Sequence, residues 1–121
     1  MSVRLAFEAL DMSAGLRAGV LNCGGGGFAS DTWNQIRADT MGRDLRRLAV
    51  RDPGALGAAA LAAVAAGLQP DLDTALAEAV RFDRTYTPEP EGLARMETLH
   101  ALYRPAYEAA REVNQALAAL P

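Results

Sequence analysis

The stretch that decides the fold is Ala18-Gly19-Val20-Leu21-Asn22-Cys23-Gly24-Gly25-Gly26-Gly27-Phe28-Ala29-Ser30-Asp31-Thr32-Trp33, which passes from a short apolar run through four glycines into a helix start. Ala18 to Cys23 has no helical period and reads as a buried strand. Four successive glycines cost too much conformational entropy for regular structure, yet they accept positive φ, so Gly24 to Gly27 reads as a loop. Ser30 or Asp31 is a good N-cap for a helix carrying Trp33, Ile36 and Met41 inward, and Gly42 stands where a left-handed C-terminal residue belongs. The unit is strand, glycine loop, helix.

Outward from this unit, Val3, Phe7 and Leu10 recur at helical spacing, widened by Leu5 and Ala6, and predict a short amphipathic helix followed by a loop at Gly15. Leu45 to Val50 offers Leu48 and Val50 on one face and predicts a second short strand near a sheet margin. Asp52-Pro53 opens a helix as N-cap and first helical residue. From Gly54 to Ala66 that helix is almost all Gly, Ala, Leu and Val, which predicts burial on every side. Gly67 ends it, and Pro70-Asp71 starts another with Leu72, Ala75, Leu76 and Ala79 on its apolar face. Phe82 to Thr87 reads as extended. A long final helix from about Glu91 aligns Leu93, Met96, Leu99, Tyr103, Tyr107, Ala110, Val113 and Leu117, with a kink expected at Pro105.

Composition bounds the function. The 121 residues carry 12 basic and 15 acidic side chains, a formal net charge of −3, and half are apolar. One domain with a real core is possible at this length without disulfides or a structural metal. Every basic residue is arginine, which removes lysine Schiff-base chemistry and a P-loop lysine. A single cysteine, Cys23, and a single histidine, His100, build neither a disulfide framework nor a Cys/His zinc site. The arginines are scattered and the balance is slightly acidic, so no nucleic-acid partner is expected. No stretch reads as a signal peptide, and the apolar segment Ala55–Leu68 is too short to span a bilayer. The expected location is cytoplasmic, without a membrane.

On pattern alone, the glycine loop fits two readings equally: a turn that needs small residues, and a backbone approached by a ligand at a helix N-terminus. The Gly-x-Gly-x-x-Gly fingerprint is not met, because Ala29 and Ser30 stand where its third glycine would fall. For the other chemistry-bearing residues the structural reading prevails. Cys23 is a small core residue, and His100 packs or hydrogen-bonds on the last helix. Asp39, Asp44 and Asp52 have separate explanations as a helix-face residue, a loop residue and an N-cap. Tyr103 and Tyr107 are a packing pair, and Trp33 anchors its helix to the sheet.

The run Gly25-Gly26-Gly27-Phe28-Ala29-Ser30-Asp31-Thr32-Trp33-Asn34-Gln35-Ile36-Arg37-Ala38-Asp39-Thr40-Met41-Gly42 resembles the adenine-side loop and helix of the FGGY carbohydrate kinases, the group containing xylulokinase, ribulokinase and glycerol kinase. Gly54-Ala55-Leu56-Gly57-Ala58-Ala59 is similar to that family's small-residue helix. Arg84-Thr85-Tyr86-Thr87-Pro88 and the helix after it are similar to its C-terminal tail.

The resemblance implies an α/β fold, a partial actin-like (ribonuclease-H-like) ATPase domain with few short strands and flanking helices. Residues 1–121 would be one partial domain, the C-terminal portion of the second kinase domain, with 91–121 as a helical tail. The family's phosphate loop, catalytic aspartate and sugar-binding residues lie upstream, so Met1 is expected to begin a fragment or truncated frame. No catalytic residue and no metal ligand is then assigned to this chain. Gly25, Gly26, Gly27 and Ser30 match nucleotide-binding positions. The implied cofactors are ATP and Mg2+, bound by the complete enzyme, which would phosphorylate a ketose or polyol. The implied partner is the missing N-terminal kinase half, or a second copy by self-association. Alone the chain is expected to be inactive. Two other readings stay open: a non-catalytic binding or assembly module derived from the kinase fold, and a stand-alone nucleotide-sensing domain.

Overall fold

Three strands form one sheet in the order β1-β2-β3, with β1 spanning Val20–Cys23, β2 Asp44–Leu48 and β3 Phe82–Tyr86. The computed structural model describes residues 2–120; Met1, the expected start of a fragment, and Pro121 lie outside them. β1 and β2 are parallel, with Val20 beside Asp44 and Cys23 beside Arg47. Helix α2, Asp31–Met41, makes the crossover that a parallel pair requires. β3 returns antiparallel, pairing Leu45 with Tyr86, and the ladder shifts register between Arg47 and Leu48. β2 is therefore the central strand, not a marginal one, and it ends at Leu48, short of Val50.

The local stop and start signals act as expected. Ser30 accepts from Trp33 N at 3.3 Å, Asp52 from Ala55 N at 3.1 Å and Asp71 from Thr74 N at 2.7 Å. Gly42 and Gly67 close their helices at φ 60° and 71°. Each cap satisfies an N–H or carbonyl that the helix itself leaves over.

Side-chain burial departs from expectation in several places. β1 is not buried throughout: Val20 and Asn22 face solvent and only Cys23 is in the core. In α2 the inward row is Asn34, Ala38 and Met41, whereas Trp33 is 52% exposed. Ala38, fully buried, lets the helix axis approach the strands, and Cys23, Leu45 and Tyr86 close around it with Leu21 and Phe28 at the margin. A tryptophan in that row would hold the helix off the sheet. Helix α3, Pro53–Ala65, has only Ala60 buried, facing Ala75 of α4, Leu72–Ala79. Being apolar all round shows that α3 needs no water on any side, and within this chain α4 covers one side. Helix α1, Ser2–Ala14, turns inward Arg4, Phe7, Glu8 and Asp11, while Val3 and Leu10 are exposed. Its attachment is polar. Arg4 bonds Glu8, Glu97 and the Thr40 carbonyl, Arg43 pairs with Asp11, and His100 Nε2 lies 3.3 Å from Glu8.

The last helix is two. α5 runs Pro90–Ala109 through Pro105, which costs it one bond without ending it, and the break falls at Ala110 before α6, Arg111–Ala118. Leu93 and Met96 are half-buried, but Leu99, Tyr107, Val113 and Leu117 are exposed. What fixes α5 is Asp39. Its carboxylate, buried on α2, accepts from Glu89 N at 2.9 Å and from Gln35 Nε2 at 3.0 Å, and Gln35 reaches the Thr87 carbonyl at 2.8 Å. Gly92 passes so close that an added Cβ would meet the Asp39 carboxyl group.

Glycine is a poor helix residue, so Gly92→Ala should stabilise α5 by up to about 1 kcal/mol if propensity alone mattered. We expect the opposite: Gly92→Ala and Asp39→Ala each lose about 1–3 kcal/mol by urea denaturation, and the double variant loses less than their sum. A stability gain in Gly92→Ala would remove Asp39 as the clamp.

Candidate functional site

β1 delivers the chain to the glycine loop at Cys23, and the four glycines then differ in what they require. A Cβ on Gly24 would stand 2.7 Å from Pro53 Cγ and 3.0 Å from Leu48 Cδ1, so packing demands its absence. Gly25 has φ 91°, which a side chain would strain. Gly26 lies outside the positive-φ set, and a Cβ there would meet nothing within 4 Å. At Gly27 the nearest atom would be Arg37 Nη2 at 3.9 Å. Within the chain, nothing requires glycine at Gly26.

The loop tightens into a 3-10 turn over Gly26–Phe28, closed by Phe28 N to the Gly25 carbonyl at 3.0 Å and Ala29 N to the Gly26 carbonyl at 3.4 Å. The next two carbonyls are taken by side chains. Arg37 Nη1 donates to Gly27 O at 2.6 Å, and Asn34 Nδ2 donates to Phe28 O at 2.8 Å, with Arg47 Nη1 at 3.4 Å from the same oxygen. The Arg37 guanidinium also lies over the Phe28 ring at 4.3 Å and beside Trp33 at 5.5 Å. Asn34 is fully buried, and its oxygen accepts from Arg37 at 3.3 Å. The turn is thus held from one side by α2 and β2, and its other flank is open.

The N-terminus of α2 is less free than expected. Ser30 spends its oxygen on the cap, and Asp31 places a carboxylate in the first turn. That carboxylate accepts from Tyr86 OH at 2.6 Å, Arg47 at 2.8 Å and Arg84 at 2.5 Å, and Arg47 forks further onto Asp83 at 2.9 and 3.0 Å. The Tyr86 hydroxyl, with Arg84 and Arg47, holds Asp31 below its ordinary value of 3.8, and Arg47 does the same to Asp83. Burial, and then the bond to Asp31, pushes the Tyr86 phenol up.

Gly25, Gly26, Gly27 and Ser30 therefore lie together on one turn and cap. Asn34, Arg37 and Arg47, which hold that turn, were not singled out; Asn34 carried the one visible signal, a polar residue four after the N-cap in an otherwise inward row. Cys23 is buried, and burial pushes its thiol up, away from reactivity. His100 is on α5 beside Glu8, remote in sequence and partners from the loop. Asp39, Asp44 and Asp52 are not brought together, and no group of three or more metal-capable side chains occurs among the described residues. No helix among them is long and apolar enough to cross a membrane.

The sequence matches the C-terminal domain of the FGGY family of carbohydrate kinases over residues 1–66. It is 33% identical over 95 residues to the autoinducer-2 kinase of Salmonella choleraesuis (strain SC-B67), covering 78% of this chain and 18% of that protein. It is 35% identical over 108 residues to glycerol kinase 2 of Pseudomonas aeruginosa, covering 89% of this chain and 21% of that one. The structure superposes on a ligand-bound xylulose kinase from Lactobacillus acidophilus with a TM-score of 0.70 and 27% identity, over 78% of this chain and 19% of the other. The fold shared with such sugar kinases is the actin-like ATPase fold, here with three strands and their flanking helices. The chain spans about a fifth of the length of these curated relatives.

The Asp31 cluster sets a pH dependence. Its folded value is depressed, so its contribution is present above the ordinary carboxylate range and is lost as pH falls through the lowered value. Asp31→Asn should lower the denaturation midpoint at neutral pH, and the gap to wild type should close as pH falls from the ordinary carboxylate range through the lowered value. Parallel midpoint-versus-pH curves for the two proteins would exclude this role.

Proposed function

The chain belongs to the FGGY family of carbohydrate kinases, and from that premise we propose that it is the nucleotide-side, C-terminal portion of an ATP-dependent carbohydrate kinase. In this reading residues 1–121 are the last part of the second kinase domain, residues 91–121 its helical tail, and the assembled enzyme is cytoplasmic. The observation that carries it is Gly26: nothing in the chain needs a glycine there, and its flank is open where a nucleotide would approach the backbone.

The residues present fit that group. Gly25 turns the chain, Gly26 and Gly27 leave room for close approach, and Ser30 keeps a hydroxyl proton to donate while its oxygen caps α2. ATP would supply the phosphoryl group and Mg2+ would accompany it in the complete enzyme; no residue of this chain is assigned to the metal. The chain's contribution is positioning, which is a large share of phosphoryl-transfer catalysis. The acceptor is a sugar hydroxyl, of a ketose or polyol, read by residues outside this chain.

The rest of the kinase is the partner. Leu61 and Leu68 around α3 and Val113 and Leu117 on α6 are exposed, and such apolar surface associates with a missing neighbour or with a second copy. The same surface favours the alternative, a non-catalytic assembly module that keeps the fold and uses these faces for a partner chain.

Two measurements separate these. A coupled ADP-release assay with pentuloses, hexuloses and polyols should show no sugar-dependent turnover with the chain alone and turnover once the upstream half of a related kinase is added; turnover by the chain alone would overturn the partial-enzyme reading. In the reassembled enzyme Gly26→Val should weaken ATP binding about tenfold or more while leaving the chain's melting curve in place, since the added side chain meets no protein atom. Unchanged ATP affinity would favour the assembly module.

A further inference from the structure

We propose that Arg37 is a positioning residue for the glycine turn, acting through two peptide planes on the backbone that would meet the nucleotide. The inference rests on the nucleotide reading above and adds a residue to it.

A trans peptide is planar, and its carbonyl and N–H point in opposite directions. Arg37 Nη1 donates to Gly27 O at 2.6 Å, which fixes the Gly27–Phe28 peptide. The N–H of that same peptide, on Phe28, donates to Gly25 O at 3.0 Å, which fixes the Gly25–Gly26 peptide. The N–H of this second peptide belongs to Gly26, and it points away from the carbonyl just consumed. One guanidinium therefore aims an N–H two peptides away. A parallel chain runs beside it: Asn34 and Arg47 hold Phe28 O, Ala29 N donates to Gly26 O at 3.4 Å, and the N–H at the far end of that peptide, opposite the carbonyl, is that of Gly27. Hydrogen bonds in series polarise one another, so a cation at the head of the chain makes the terminal N–H a better donor.

Arg37 suits this task by shape as well as charge. It is stacked on Phe28 at 4.3 Å, tied to Asn34 at 3.3 Å, and rises from the second turn of α2, so its fork is fixed before any ligand arrives. Removing it takes the cation from the face of the Phe28 ring and leaves Gly27 O to water, so the Gly27–Phe28 peptide is then held only by its own N–H bond to Gly25 O.

The test compares three forms of the chain: wild type, Arg37→Leu and Arg37→Lys. Amide hydrogen exchange should show Phe28 N–H exchanging about tenfold faster or more in Arg37→Leu, with Leu45 and Arg46 in β2 unchanged, because losing a charged hydrogen bond of this kind is worth at least a tenfold shift. ATP titration of the chain reassembled with the upstream half of a related kinase, followed at the Gly26 and Gly27 amide resonances, should be weakened about tenfold in Arg37→Leu and partly restored in Arg37→Lys, which keeps the cation but not the fork. Equal Phe28 exchange in wild type and Arg37→Leu would overturn the proposal, as would equal ATP affinity. If Arg37→Leu unfolds, Arg37→Lys against wild type decides by the same two readouts. Should the reassembled wild type show no ATP-induced shift, the nucleotide reading falls and Phe28 exchange alone decides whether Arg37 orders the turn.

Discussion

Four glycines in a row cannot satisfy their own backbone, and the placement of α2 and β2 follows from that debt. Two carbonyls of the turn find N–H groups within it; the other two need side chains from elsewhere, and Asn34, Arg37 and Arg47 provide them. Asn34 reaches Phe28 O only if α2 lies close on the sheet, and α2 lies close only because Ala38 stands where a larger residue would hold it off. The requirement of one loop thus selects the inward face of a helix. It also accounts for a fully buried asparagine, whose amide would cost about 1–3 kcal/mol without its partners.

The same helix carries the constraint to the other end of the chain. A second row, Gln35 and the buried Asp39, grips the segment from Thr87 to Gly92 and starts α5. A carboxylate beside the first N–H groups of a helix is favourable both as a hydrogen-bond acceptor and against the helix dipole. α2 therefore holds the glycine turn with one row and the tail with another, with no loop between them to absorb a displacement.

How much of this could be read beforehand follows the range of the interaction. Caps were legible because each is settled within three or four residues: Ser30, Asp52 and Asp71 accept from the N–H three positions on, and Gly42 and Gly67 take the left-handed conformation. The glycine loop was legible as a loop for the same reason. The phase of α2 was not, because periodicity reports where apolar side chains are and not which of them has a partner; Trp33 outweighs Asn34 on any such scale, yet the neighbours of Asn34 are Phe28 O and Arg37. α1 misled in part for the same reason: Phe7 turns inward as its spacing predicts, but it shares that row with Arg4, Glu8 and Asp11, and Val3 and Leu10 face out. α3 shows the converse limit: an all-apolar helix is permitted to be buried, but burial needs a neighbour, and among the described residues α4 is the one packed along it. Of the candidate site, the glycines and Ser30 could be proposed from the sequence and the side chains that hold their turn could not, because Arg37 and Arg47 reach it only through the fold.

The absence of lysine, read first as an exclusion, has a positive consequence at these supports. Arg47 bonds Asp31, Asp83 and Phe28 O at once while lying 5.8 Å from the Tyr86 ring, and Arg46 covers Phe82 at 4.0 Å while bonding Asn22. Each task combines a planar fork of donors with a flat face for stacking. An ammonium offers three donors on a flexible stem and no face. Its compact, strongly hydrated charge would also draw water into the turn it was meant to hold. A three-stranded sheet with so small a buried cluster has little apolar burial with which to fix its loops, so the rigidity of the glycine turn has to come from groups that order several acceptors at once. Guanidinium is the side chain that does so, and its fixed charge, far above any physiological pH, makes that order independent of pH except through the carboxylates it holds.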